Sequence, residues 1–184
     1  MQVISSLLDL QAEKFEDKKV KQAFSDSQNR VLSMSLIHEE LYKGGQTEKL
    51  NFSAYLKKLA DNLLMTYKLS SINIRLNMDM EENAFLDVDT AVPLGIIVNE
   101  LITNSLKHAF TEKKEGEIGI QLRRHEEIIN GINKSEFCLV VSDNGKGIPE
   151  GLKLESVESL GMQLINILVN QLDGELKLNR KKRY

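Results

Sequence analysis

The chain has 184 residues, 41% hydrophobic and 28% charged. That is enough apolar material for a packed core, and it excludes global disorder. A formal charge of −3 argues against a general nucleic-acid or membrane-surface binder, and the single cysteine, Cys138, excludes an internal disulfide. Cys138 sits in an apolar run and reads as a small core residue rather than a nucleophile. The longest apolar run, residues 91–98, is far too short to cross a bilayer, and no signal-peptide pattern opens the chain. A cytoplasmic location is expected, with any membrane attachment of the parent protein lying in segments beyond this sequence.

Residues 2–24 read as one amphipathic helix, with Val3, Ile4, Leu7, Leu8, Gln11 and Phe15 along one face. Helical pattern begins directly after Met1, so the helix is expected to start earlier in a longer protein. Ser25, Asp26 or Ser27 can cap a second helix to Tyr42, ended by Gly44-Gly45, with Val31, Met34, His38 and Leu41 on one side. Two such helices form an antiparallel hairpin that cannot bury both stripes alone. Pairing with a second copy into a four-helix bundle, a homodimer through residues 2–44, is the natural solution.

After residue 45 the pattern changes, and residues 46–184 read as a mixed α/β domain. Asn51 or Ser53 caps a third helix through Tyr67. Residues 72–78 alternate apolar and polar as a half-buried strand, and residues 84–86 form a short strand. Asp87 or Asp89 leads into the central helix, with Pro93 in its first turn. Residues 117–123 and 136–141 read as strands joined by a polar connection that holds His125 and Asn130-Gly131. A glycine-rich loop, Asp143-Asn-Gly-Lys-Gly-Ile-Pro149, follows, and residues 150–158 read as a mobile loop. Ser159-Leu-Gly-Met162 opens a last helix to Leu172, Asp173-Gly174 turns the chain, and residues 175–179 read as a final strand before a basic tail.

Three elements carry chemistry. On the central helix Leu94, Val98, Leu101, Ile102, Leu106 and Ala109 share one arc, and Glu100, Thr103, Asn104, Lys107 and His108 the opposite one. An acid, an amide, an ammonium and an imidazole in two turns suit an anion with a hard cation. Asn104 can offer a carbonyl oxygen to Mg²⁺, Lys107 and His108 can donate to phosphate, and Glu100 can take a proton. Asp143, at the end of a strand, can accept a hydrogen bond from an exocyclic amine such as that of adenine. Gly145 and Gly147 let the backbone turn sharply or approach a flat ring. Ser159-Leu-Gly161 opens a helix, where free N–H groups favour phosphate. Each signal is weak singly; their order and spacing together are specific.

Residues 99–110 resemble the N box of the ATPase superfamily of gyrases, heat-shock chaperones, mismatch-repair ATPases and histidine kinases. Residues 143–149 match its first glycine box, and Ser159-Leu-Gly-Met-Gln-Leu164 resembles its second. The run Asn99-Glu-Leu-Ile-Thr-Asn-Ser-Leu-Lys-His-Ala-Phe110 resembles sensor histidine kinases. Residues 2–11 and Leu36-Ile-His-Glu-Glu-Leu-Tyr42 resemble those with the second type of dimerisation and phosphoacceptor domain.

The resemblance implies an α+β protein: a dimerising helical hairpin, residues 1–45, followed by a Bergerat-type α/β sandwich, residues 46–184. It implies ATP or ADP with Mg²⁺ between the central helix and the first glycine box. Glu100 would orient or deprotonate the attacking group, and Asn104 would bind Mg²⁺. Lys107 and His108 would contact phosphates, and Asp143 would read the adenine amine. Gly145, Gly147, Gly161 and Met162 would shape the nucleotide pocket and its lid.

The implied partners are a response regulator receiver domain and an upstream sensor domain in the parent protein. The family's acceptor histidine lies in a His-Arg-x-x-Asn-Asn-like run before the position matching Met1, and its closing Gly-Gly-Thr-like turn and strand lie beyond residue 184. The chain is therefore expected to bind ATP without phosphorylating itself. His38 is read as a packing residue of the second helix, not an acceptor. Two other functions fit the same boxes, a non-catalytic nucleotide-binding scaffold and a serine kinase or other ATPase of this fold. The helical hairpin argues against the serine kinase.

Overall fold

A computed structural model describes residues 2–43, 49–67, 73–81, 84–110, 115–129, 132–148 and 159–179. The chain opens with α1 (Gln2–Ala12) and α2 (Lys18–Lys43), which form the expected hairpin with its turn in a different place. The sequence pattern puts the break near residue 25, but it falls at residues 13–17. There Asp17 accepts a hydrogen bond from the Lys19 amide (2.7 Å), and the Phe15 ring stacks on Phe24 (5.7 Å between centroids). Asp17 therefore does the work of a helix cap. Ser25, Asp26 and Ser27 lie inside α2, where Ser27 returns its hydroxyl to the Ala23 carbonyl. Gln28 ties the two helices by donating to the Ser5 carbonyl and to Asp9. Gly44-Gly45 lies outside the described residues.

The second part holds β1 (Lys49–Asn51), α3 (Phe52–Thr66), β2 (Asn73–Met80), β3 (Phe85–Asp87), α4 (Val88–Asn104), β4 (Glu115–Ile129), β5 (Ile132–Asp143) and α5 (Leu160–Gln171). Asn51 caps α3 by accepting from the Ala54 amide (3.0 Å). The buried positions of α3, Phe52, Tyr55, Leu56, Leu59, Ala60 and Leu63, follow the three-four spacing of one helix face. β1 pairs antiparallel with β3, a strand that the three-residue segment Lys49–Asn51 did not announce. The main sheet runs β2-β4-β5, with β2 parallel to β4 and β5 antiparallel to it. Ile118, Ile120 and Leu122 point from β4 into the core against α3 and α4. Leu36 and Ile37 bring the C-terminal half of α2 into that same core.

Several expectations are corrected. β4 and β5 are longer than residues 117–123 and 136–141, and their ladder continues to Ile129 opposite Ile132. A two-residue connection lets the strands pair to their ends. His125 is thus an exposed strand residue opposite Glu136, not part of a connection. Cys138 is exposed rather than buried in the core, because the period-two alternation of β5 turns Phe137, Leu139 and Val141 inward and Cys138 and Val140 outward. Pro93 lies in the second turn of α4, not the first, since the helix begins at Val88. Residues 174–179 form no strand ladder among the described residues; Leu176 instead packs into a second apolar cluster with Met162, Ile165 and Leu168 of α5. The basic tail and residues 150–158 lie outside the described residues. Among the described residues no helix is long and apolar enough to cross a membrane.

Candidate functional site

α4 is built to end at the site. Asp87 caps it by accepting from the Thr90 amide (2.8 Å), and hydrogen bonding from the Thr90 hydroxyl, then from that amide, holds the Asp87 carboxyl below its ordinary range. One face packs on the sheet through Val98, Ile102 and Leu106, and another on α5 through Ile96 and Ile97. After Asn104 the helix widens into a π-helical turn, Ser105–Ala109. Such turns shift side chains off the regular four-residue register, so the alignment of Glu100, Asn104 and His108 does not carry past Asn104.

The first glycine box is stitched to that turn. The Lys146 amide donates to the Ala109 carbonyl (2.8 Å), and the Asn144 side chain accepts from the Glu117 amide (2.9 Å). Asp143 ends β5 with both carboxylate oxygens engaged. Oδ2 accepts from the Ser105 hydroxyl and Oδ1 from the Gly145 amide, each at 2.9 Å. Gly145 is buried where a Cβ would lie 2.5 Å from the Ala109 carbonyl oxygen. Gly147 is needed for a different reason: its φ is +79°, with open space around it.

The second glycine box meets Glu100. Ser159 caps α5 by accepting from the Met162 amide (3.3 Å), and a Cβ on Gly161 would stand 2.5 Å from Glu100 Oε2. Met162, expected to shape the pocket, has its side chain buried in the apolar cluster between α4 and α5.

The polar arc of α4 is not the open surface that the sequence pattern implies. Glu100 and Thr103 are buried, and α2 lies across Glu100. Arg30 grips Glu100 with two parallel bonds, Nε to Oε1 (2.8 Å) and Nη2 to Oε2 (3.0 Å), and Asn99 also donates to Oε1 (3.1 Å). Ser33 donates to Asn99 (3.2 Å). Lys107 pairs with Asp26 and lies over the Tyr67 ring. Burial, then the charge of Asp26, pushes the Tyr67 phenol up to about 12, so it keeps its proton at neutral pH. It accepts from Asn29 (2.9 Å) and donates to Asp26 (3.4 Å).

Asn104 and Lys107 are half-buried and His108 is exposed. Partial burial, then the charges of Lys107 and Lys146, holds the His108 imidazole below 6.5. His38 is exposed on α2 in the single chain, and its neighbour Ile37 is buried in the core.

The structure thus gathers Asp143, Gly145 and the turn from Ser105 to His108 into one cluster. Glu100 with Gly161 forms another, one helical turn away across Asn104. Sequence reasoning missed Asp26, Asn29, Arg30, Ser33 and Ser105. The first four carry a signal, since their spacing of i, i+3, i+4 and i+7 marks one polar stripe on α2.

A family model described as histidine kinase-, DNA gyrase B- and HSP90-like ATPase matches residues 89–183, more than half of the chain. The chain belongs to this ATPase family. A second model, described as histidine kinase, matches residues 1–67, ahead of α4.

It is homologous to sensor histidine kinases. It is 30% identical over 183 residues to sensor histidine kinase PdtaS of Mycolicibacterium smegmatis, covering 97% of this chain and 34% of that protein. It is 31% identical over 180 residues to PdtaS of Mycobacterium tuberculosis, covering 96% and 33%. The chain therefore spans about a third of these relatives. The histidine kinase domain of the blue-light activated histidine kinase from Erythrobacter litoralis shares the fold, with a TM-score of 0.71 at 22% identity, over 98% of this chain and 90% of that one. The Bergerat-type α/β arrangement behind a helical hairpin is that of a histidine kinase ATPase domain.

Proposed function

We propose that this chain is the nucleotide-binding catalytic and dimerisation core of a two-component sensor histidine kinase, using Mg²⁺-ATP for phosphoryl transfer to a histidine and on to a response regulator receiver domain. Its division would be a dimerisation hairpin, residues 1–45, and an ATP-binding domain, residues 46–184, with a sensor domain upstream in the parent protein. The observation that carries the reading is Asp143. Its carboxylate is held by Ser105 and by the Gly145 amide at the mouth between β5 and the end of α4. Each oxygen retains acceptor capacity, and an ionised carboxylate donates nothing, which selects a ligand that presents N–H.

The nucleotide would lie between residues 99–110 and 143–164. Lys107 and His108 would take the phosphates, Gly145 and Gly147 would let the backbone approach the ring, and Gly161 would admit Glu100 beneath the lid. Asn104 fits a Mg²⁺ ion, which needs only one or two protein oxygens when phosphates and water supply the rest. Among the described residues no cluster of three His, Cys, Asp or Glu side chains competes for that role. The ion would neutralise phosphate charge. Glu100 would orient the acceptor, and the residues would act by positioning and charge.

The hairpin supports a homodimer through residues 2–44: Val3, Ile4, Leu7 and Leu10 of α1 are exposed in the single chain. The net charge of −3 over the whole chain argues against a general nucleic-acid role. A second reading, a nucleotide-binding scaffold, is favoured by the burial of Glu100 against Arg30.

Calorimetry with Mg²⁺-ADP tests the site. Asp143→Asn replaces an acceptor-only group by one that can present N–H to the amine, and affinity should fall by about tenfold or more, roughly the loss of one charge-assisted hydrogen bond. Unchanged affinity would defeat the assignment.

A further inference from the structure

Ser105 puts a hydroxyl where the helix turns inward. It is buried, as are Ile102, Leu106 and Ala109 on the same side of the helix end. A hydroxyl there needs a partner. The usual one for a helical serine is the carbonyl four residues back. Ser27 and Ser33 of α2 take it, donating to the Ala23 and Asn29 carbonyls. Ser105 sends its hydroxyl out of the helix instead, to Asp143 Oδ2 at 2.9 Å, 38 positions along the chain.

That bond completes a frame around the Asp143 carboxylate. The Gly145 amide holds Oδ1 from the other side, also at 2.9 Å. The two donors belong to different segments, and those segments are fixed to each other. The Lys146 amide donates to the Ala109 carbonyl (2.8 Å), and Gly145 lies against Ala109. The backbone of Asp143 is set by the end of β5, opposite Ile118. Asp143 is exposed, while Ser105 is buried. Ser105 therefore acts through the carboxylate.

Resting on the nucleotide-site reading above, we propose that Ser105 is a positioning residue that sets the choice of base, adenine over a 6-oxopurine. The two kinds of purine differ at the edge that Asp143 would read. Adenine presents an N–H donor on its exocyclic amine and a bare acceptor nitrogen at N1. A 6-oxopurine reverses both, with a carbonyl at position 6 and an N–H at N1. A carboxylate accepts from either N–H, so its charge alone does not choose. Its position does. With both oxygens bonded, turning from the amine toward the N1 position breaks a charge-assisted hydrogen bond. The single proton of the Ser105 hydroxyl is also committed to Oδ2, so it cannot serve the carbonyl of the wrong base. Polar groups that the wrong ligand leaves unpaired give strong discrimination.

Calorimetry on the wild-type chain and on Ser105→Ala compares Mg²⁺-ADP with Mg²⁺-inosine diphosphate, which carries the carbonyl. Alanine suits a helix and removes only the hydroxyl. Wild type should favour ADP. In Ser105→Ala that preference should shrink about fivefold or more, the size of one hydrogen bond to a charged group, because Asp143 can then turn toward the N1–H. Ser105→Cys keeps the bulk and weakens the donor, and its preference should fall between the two. A purely structural role would weaken both ligands alike and leave the ratio unchanged. An unchanged or increased ratio in Ser105→Ala would overturn the proposal, as would a wild type that binds both nucleotides equally. If Ser105→Ala does not fold, Ser105→Cys decides by the same rule. Binding of Mg²⁺-ADP that ignores Asp143→Asn would defeat the site reading and this inference with it. Asp143-dependent binding whose ratio ignores Ser105→Ala would defeat this inference only.

Discussion

The two glycines of the first glycine box are required for unlike reasons, and substitutions should tell them apart. At Gly145 the obstacle is space. A Cβ would stand 2.5 Å from the Ala109 carbonyl oxygen and 2.7 Å from its carbonyl carbon. Both are backbone atoms, and that carbonyl also accepts the Lys146 amide at 2.8 Å. Gly145→Ala must push the box off the π-helical turn. Overpacking costs about 1–3 kcal/mol and the lost hydrogen bond about 1 kcal/mol, so the loss should be about 2–4 kcal/mol. Asp143, two residues away and bonded to the Gly145 amide, should move with it and weaken ADP binding. At Gly147 the obstacle is the backbone. Its φ of +79° has nothing within 4 Å of a Cβ, so Gly147→Asn, a residue that tolerates left-handed geometry, should cost less than about 1 kcal/mol. Urea denaturation of Gly145→Ala, Gly145→Asn and Gly147→Asn would measure this. Gly145→Ala as stable as wild type, or Gly147→Asn as damaging as Gly145→Asn, would refute the reasoning.

Asp87→Ala removes the cap of α4 and should cost about 1 kcal/mol, read as a shift in thermal midpoint; no shift would mean that the cap contributes nothing. His108 lies below 6.5 in the free protein because of burial and the adjacent lysines, and a bound phosphate adds opposite charge and raises it. ADP binding should therefore take up a proton, and affinity should fall as pH rises from the lowered value of the free protein through the higher value of the complex, while His108→Gln loses that dependence. Calorimetry in buffers of different ionisation enthalpy reads the uptake, and zero uptake at pH 6.5 would contradict it. The exposed apolar stripe of α1 should make the chain a dimer at high micromolar concentration, and Leu7→Glu should shift it to monomer in sedimentation; a wild-type monomer would remove the dimer proposal.

Much of this fold is local and so legible in the sequence. Asn51 and Asp87 stand just before apolar helical patterns, and β2 alternates strictly. Asp143, Gly145, Gly147 and Gly161 follow α4 in the order that the resemblance requires. What was not legible depends on distant partners. The break at residues 13–17 competes with three good capping residues at 25–27, and the stacking of Phe15 on Phe24 accompanies the outcome. The far half of the β4–β5 hairpin has little apolar alternation in its sequence to announce it. A polar arc on α4 looks the same in sequence whether water or another helix covers it. Glu100 is covered by Arg30, 70 positions earlier, and no local pattern links the two. Ser105 was hidden because a small hydroxyl at a helix end carries no periodic signal, and its role depends on where β5 ends.

Adenine nucleotide is expected to bind between the end of α4 and the first glycine box. A crystal structure of the chain with Mg²⁺-ADP tests it most directly. The adenine amine should lie at hydrogen-bonding distance, about 3 Å, from Asp143, with the phosphates beside Asn104, Lys107 and His108. Nucleotide seated elsewhere, with Asp143 still bonded only to Ser105 and Gly145, would contradict it.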